Sequence, residues 1–163
     1  MVNDEVMNTN IFVYALLGGL AIAMLVSMYT DLRSRKIYNK VTLPLALAAP
    51  LYWWATGDYG WHAIGIHLLV AACAFAFCLL WFSLGWMGGG DLKLYTALAL
   101  WFSWQEILML FFYSAIIGLA VTIVALTVHK MRGKQGLSKT PYGVAIALAG
   151  LWIAGQPYFN HFV

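Results

Sequence analysis

Two stretches without a single Asp, Glu, Lys or Arg constrain how this chain can fold: Val6–Thr30 and Tyr59–Gly90. About 20 apolar residues in a helix cross the hydrocarbon core of a bilayer, and each stretch is long enough. A soluble domain carries roughly 25% charged residues, whereas this chain carries 9%, with 63% hydrophobic. Too few polar side chains exist to coat a water-facing surface, so a soluble all-helical protein is excluded. Val6–Thr30 is preceded by Asn3, Asp4 and Glu5 instead of a basic segment. Its apolar run also exceeds the core of a usual signal peptide, so it reads as a retained first span.

The pattern predicts an all-α, polytopic membrane protein with six transmembrane helices, organised as one membrane-embedded domain over residues 1–163. The predicted spans are Ile11–Thr30, Val41–Ala55, His62–Leu84, Leu92–Trp104, Ile107–Val128 and Tyr142–Phe159. The second and fourth are short. The uncharged residues between Lys93 and Glu106 make about 18 Å of helix, against a core about 30 Å thick. Either the ends of these helices sit below the membrane surface or the bilayer thins around them.

Charge sets the orientation. With the N-terminus outside, the inside segments are 31–40, 85–93 and 129–141. They hold Arg33, Arg35, Lys36, Lys40, Lys93, Lys130, Arg132, Lys134 and Lys139, all nine basic residues of the chain. Basic residues collect on the cytoplasmic side of membrane proteins, so both termini are expected outside the cytoplasm. Asp4, Glu5, Asp58 and Glu106 then fall outside, and only Asp31 and Asp91 share the basic side. The net charge of +3 is accounted for by the bilayer, and no nucleic-acid partner is implied. Tyr52, Trp53, Trp54, Trp61, Trp101 and Trp104 near span ends read as interfacial anchors. Cys73 and Cys78 fit neither a CxxC pair nor a zinc motif and read as packing residues. His62, His67, His129 and His161 lack metal-ligand spacing, so neither a metal nor another cofactor is expected. No HExxH or GxSxG sequence is present.

Chemistry concentrates at the two cytoplasmic acids. A carboxylate at a membrane boundary is costly unless paired, hydrated or used. Asp31 and Asp91 can pair with nearby Arg33, Arg35 or Lys93. Alternatively, they can work together, one taking a proton from water while the other donates to a carbonyl. Three glycines precede Asp91: Gly88, Gly89 and Gly90. Without Cβ atoms they allow close backbone approach, suiting an extended peptide, although a plain turn also uses them. Lys93 can act on Asp91, contact a substrate carbonyl or anchor the inside face. Asn39 suits the start of the second helix, and Pro141 and Gly143 suit a sharp entry into the last. Helix ends suggest the resting charges. Asp91, at a helix N-terminus, is favoured as the ionised partner, and Asp31, at a C-terminus, as the protonated one.

Three motifs carry a resemblance. Asp31-Leu-Arg-Ser-Arg-Lys-Ile37-Tyr-Asn39 resembles the first motif of the type IV prepilin peptidases. Gly88-Gly89-Gly90-Asp91-Leu-Lys93 resembles their GxGD motif with its trailing Lys. Pro141-Tyr142-Gly143-Val-Ala145 is similar to the segment that opens their last helix. The resemblance implies an aspartyl peptidase with Asp31 and Asp91 as catalytic pair, prepilins with basic leaders as substrates, and a site at the cytoplasmic face of the inner membrane. It identifies Gly88, Gly89, Gly90, Lys93, Ile37, Asn39, Pro141, Tyr142 and Gly143 as motif residues around the pair. Longer members carry a cysteine-bearing zinc insert after the first span and also methylate the product. Here only Leu32–Lys40 occupies that place, so the chain looks like the short form of Flp-type, tight-adherence pili, without methyl transfer. An archaeal-type preflagellin peptidase has similar motifs. An ion-coupled transporter is the alternative from another class, though transporters place their acids near mid-membrane. A structural secretion subunit would not need the acids.

Single cysteines introduced at Ser34 and Lys134 are expected to react, in intact cells, only with a membrane-permeant thiol reagent. Labelling of either by an impermeant reagent would overturn the topology.

Overall fold

A computed structural model of the protein describes residues 2–131 and 141–159. The readings on Arg132, Lys134, Lys139 and His161 lie outside the described residues. The described chain forms α1 (Val2–Ser34), α2 (Asn39–Thr56), α3 (Trp61–Ser83), α4 (Gly89–Ala99), α5 (Trp104–Met131) and α6 (Tyr142–Phe159). Ile11–Ser34, Trp61–Ser83 and Trp104–Val128 are long and apolar enough to cross a membrane, and α2, α4 and α6 are shorter.

Local chemistry marks the boundaries. α1 ends where Arg35 turns left-handed (φ 52°) and donates its N–H to the Asp31 carbonyl at 2.9 Å. α2 ends on Gly57, also left-handed. α4 stops short of the expected Trp104, at Ala99. The residues after it prepare α5. The Ser103 N–H donates to Glu106 Oε2 at 2.7 Å, and the Glu106 N–H returns to Ser103 Oγ at 3.5 Å. This reciprocal cap starts a new helix where the apolar pattern alone suggested continuity.

The shortest helix is the centre of the bundle. At 11 residues, α4 is about 16 Å long, yet Leu94, Tyr95, Leu98 and Ala99 are fully buried. It packs against α2, α3, α5 and α6. A helix sheathed by protein does not need to match the thickness of the hydrocarbon. α6 is held chiefly between α1 and α5.

Two expected interfacial anchors do another job. Trp53 and Trp101 are each 5% exposed. The Trp53 indole N–H donates to the Leu100 carbonyl at 2.7 Å, and that of Trp101 donates to Leu45 at 2.8 Å. The last carbonyls of a helix have no partner within it, and none can be left bare in an apolar interior. Trp53 satisfies one at the end of α4, and the pair of bonds ties α2 to α4. Trp54, Trp61 and Trp104 do face outward. Of the two cysteines, Cys78 is buried as expected, whereas Cys73 is exposed.

Trp53→Phe is expected to destabilise the protein by about 1–3 kcal/mol, by leaving the Leu100 carbonyl unsatisfied. Trp54→Phe, on an exposed face, is expected to cost much less. Thermal unfolding in detergent measures both, and equal losses would remove the α2–α4 tie.

Candidate active site

The site is built where three helix ends converge. Asp31 lies in the last turn of α1, Asp91 in the first turn of α4, and α6 begins beside them. All three border one cleft of about 1180 Å³. Asp31, Asp91, Gly88, Gly89, Gly90 and Tyr142 line it, together with Ile37 and Asn39. Arg35, Lys36 and Lys40 stand at its basic end, and Phe77, Trp81 and Phe111 form an apolar flank between α3 and α5.

Ile37 is the spacer of this arrangement. It is buried in the short connection between α1 and α2, with α4 on one side and α6 on the other. A Cβ on Gly90 would stand 3.1 Å from Ile37 Cβ and 3.3 Å from its backbone N. One on Gly143 would stand 2.8 Å from Ile37 Cδ1 and 2.9 Å from Asp31 Oδ2. The missing side chain of Gly90 therefore makes room for Ile37, where the sequence suggested an edge for substrate. Gly88 is the N-cap of α4, and Gly89 lies under the Phe82 ring.

The two carboxyls occupy different environments. Asp31 is 6% exposed. Its Oδ2 accepts the Val144 backbone N–H at 3.2 Å, with the Gly143 N–H beside it. Both donors belong to the first turn of α6, the end that carries partial positive charge. Backbone donors of this kind satisfy the oxygens of a buried carboxyl. Asp91 precedes the apolar body of α4 and lies outside the three long apolar helices. Its carboxyl is pushed up to about 7, by burial first and by the charge of Asp31 second, against a contact from the Gly88 backbone. Each carboxyl therefore meets a helix end and burial together, where the sequence reading assigned one helix end to each. Asp31 sits at the C-terminus of its own helix but on the N-terminus of another. Asp91 does sit at a helix N-terminus, where burial and Asp31 outweigh the local dipole.

The flanking motif residues separate into groups. Asn39 is the first residue of α2, but the cap position is Tyr38 and no side chain caps the helix. Asn39 Oδ1 instead accepts the Lys93 ammonium at 2.9 Å, joining α2 to α4 at the cleft. Lys93 is exposed and held by that bond. Pro141 immediately precedes α6 and Tyr142 opens it, so the sharp helix entry is present. Sequence reading missed Tyr95, whose buried phenol also borders the cleft. Its spacing of four from Asp91, one helical turn, was the available signal. His67, stacked on Trp53 at 4.9 Å, belongs to the packing.

A helical membrane protein that gathers two carboxyls into one cleft is the class that fold and site define. Residues 18–123 match the family model of the type IV leader peptidases, and the chain belongs to that family. The matched stretch holds the Asp31 and Asp91 motifs, and Pro141–Gly143 lies beyond it. The chain is 30% identical to the prepilin leader peptidase/N-methyltransferase of Burkholderia pseudomallei (strain 1026b), over 86% of this chain and 47% of that protein. It is 31% identical to that of Aeromonas salmonicida (strain A449), over 71% of this chain and 42% of the relative. It therefore spans about half the length of the curated relatives it matches. No solved structure matches it.

Gly143→Ala is expected to displace Asp31 or Ile37 and to lower peptide cleavage by roughly 100-fold, the scale of a misplacement near 1 Å. Gly89→Ala, with only the Phe82 ring at 3.4 Å, is expected to be mild. Cleavage rates of the two purified variants measure this, and equal activity would remove the spacing role of Gly143.

Proposed function

We propose that this protein is an aspartic endopeptidase that removes the basic leader of prepilins at the cytoplasmic face of the inner membrane. The observation that carries the reading is the shared cleft, with one carboxylate held by backbone N–H groups and a second carboxyl that keeps its proton toward neutral pH. Membership of the type IV leader peptidase family, and relatives named prepilin leader peptidase/N-methyltransferase, support the substrate class.

In this reading Asp31 takes a proton from water as the water oxygen attacks the scissile carbonyl. Asp91 donates its proton to the carbonyl oxygen, which becomes the hydroxyl of a tetrahedral intermediate. Collapse of the intermediate breaks the C–N bond. The proton gathered by Asp31 passes to the leaving amine, and the hydroxyl proton returns to Asp91. The chemistry is that of a carboxyl pair whose acidities are driven apart by environment, with no metal or other cofactor assigned. Ile37 and Gly143 hold the spacing, and the Asn39–Lys93 bond braces one wall. The three short helices complete six passes through the bilayer, with both termini outside and lipid around the bundle.

The short connection favours the Flp-type, tight-adherence form acting without methyl transfer. Residues 35–38 separate α1 from α2, and no cysteine lies there.

Asp31→Asn and Asp91→Asn are each expected to lower prepilin cleavage by about 100-fold or more, the usual contribution of a general acid or base, at normal abundance. Near wild-type cleavage by either would refute the pair. For the active protein, kcat/KM is expected to fall as pH rises through about 7, where Asp91 loses its proton. It is also expected to fall at low pH as Asp31 gains one. The two limbs belong to the coupled pair. A rate undiminished well above neutrality would remove Asp91 as the acid. Mass spectrometry of the mature product is expected to show an unmethylated N-terminus, and methylation dependent on this protein alone would refute the short-form reading.

A further inference from the structure

A cleft that takes basic leaders has a charge problem to solve. Arg35, Lys36 and Lys40 line it, and among the described residues the acids that line it are Asp31 and Asp91. Both carboxyls act at the scissile bond in the mechanism above, so neither is spare for a leader Lys or Arg. A cation can instead rest on the face of an indole, where the ring quadrupole is negative. Of the exposed tryptophans Trp54, Trp61, Trp86, Trp104 and Trp152, it is Trp86 that lines the cleft.

Trp86 is held there by the end of α3. Gly85 is left-handed, at φ 75°, a conformation that glycine adopts freely. The Gly85 N–H donates to the Phe82 carbonyl at 3.0 Å, and the Trp86 N–H donates to the Trp81 carbonyl at 3.0 Å. This pair of bonds is a Schellman turn, which an apolar contact between its two ends commonly accompanies. The Trp81 and Trp86 rings make that contact, with centroids 5.1 Å apart. The turn explains why the two indoles meet, but it does not cover the outer one. Trp86 remains 75% exposed. Inward, the rings continue without a break. Trp81 meets Phe77 at 5.9 Å, Phe77 meets Phe111 at 5.0 Å, and Phe111 stacks on Tyr95 at 4.6 Å. All five rings border the cleft. The series therefore joins the helix that carries Asp91 to an open indole in the turn before Gly88.

We propose that Trp86, seated on Trp81, is the subsite that receives a cationic side chain of the substrate's leader. The proposal rests on the peptidase reading above. The two sides of the cleft then divide the work. Arg35, Lys36 and Lys40 belong to the side of α1 and α2 and repel a basic leader. The indoles belong to the end of α3 and attract it, so the leader is steered along the turn that leads into Asp91. An interfacial anchor would also expose an indole near a helix end, but it would be indifferent to the charge of the leader.

The test uses the full-length purified protein and two prepilins, one with its basic leader and one with the leader Lys and Arg residues replaced by Gln. Trp86→Leu keeps apolar bulk and removes the aromatic face, whereas Trp86→Phe keeps a smaller face. For the basic leader, Trp86→Leu is expected to raise KM by about two- to fivefold, the scale of an exposed cation–π contact, with kcat little changed. Trp86→Phe is expected to recover part of that loss. For the Gln leader, the wild-type protein and both variants are expected to share one KM. In the wild-type protein the Gln leader is expected to show a KM higher than the basic leader by a similar factor, a comparison that needs no variant to fold. An equal change in KM on both leaders, no change on the basic one, or equal wild-type KM values for the two leaders would overturn the subsite and leave the peptidase reading in place. Failure of the wild-type protein to cleave either prepilin would overturn that reading, and the subsite with it.

Discussion

The site depends on one contact between distant parts of the chain, the Asp31 carboxylate against the first turn of α6, 113 residues away. Each side answers a need of the other. The opening N–H groups of a helix have no partners within it, and a buried carboxylate needs donors to remain charged. Together they form one satisfied unit in surroundings where either alone would be costly. The contact requires α6 to start beside the end of α1. That placement is supported along the rest of its length by its packing on α1 and α5. It also requires the residue at position 143 to have no side chain, since a Cβ there would stand 2.9 Å from the carboxylate.

The second carboxyl is governed by the opposite condition. Asp91 belongs to the central helix, and burial around α4 disfavours its charge. The charged state of Asp31 disfavours it further. The two acids therefore meet different surroundings in the bundle. One acid receives the end of a neighbouring helix, and the other receives apolar walls and a negative neighbour. The Trp53 and Trp101 bonds tie α4 and its end to α2, and the Tyr95–Ser114 contact joins α4 to α5 nearer the cleft.

Much of this was legible in the sequence, for identifiable reasons. Helix number and approximate limits followed from uncharged runs and from Pro141, which acts locally. Asp31 and Asp91 stood out because acids are rare in such a chain. The errors arose where a residue's partner is far away in sequence. Asn39 looked like a helix cap, but its oxygen belongs to Lys93, 54 residues on. Trp53 and Trp101 looked like interfacial anchors, but they meet carbonyls 47 and 56 residues away. The surroundings of Asp31 were legible only in part, because the helix end on its carboxyl belongs to α6 and not to its own helix. Gly90 was read as open space for a substrate, and only the fold shows Ile37 filling it.

Arg35 illustrates how far the site shapes its own backbone. It ends α1 in the left-handed region, at φ 52°, a conformation that costs an ordinary residue roughly 1 kcal/mol or more and that glycine adopts freely. Gly57 fills the equivalent position after α2, so the fold uses glycine where only the turn matters. After α1 it uses arginine, whose side chain borders the cleft and whose charge acts on Asp31. A strained residue persists where its surroundings hold it. Here the restraints are the bond from Arg35 N–H to the Asp31 carbonyl and the seating of Ile37 two residues later between α4 and α6. The turn thus does two jobs at once: it reverses the chain within four residues and places a positive charge beside the carboxyl that meets the first turn of α6.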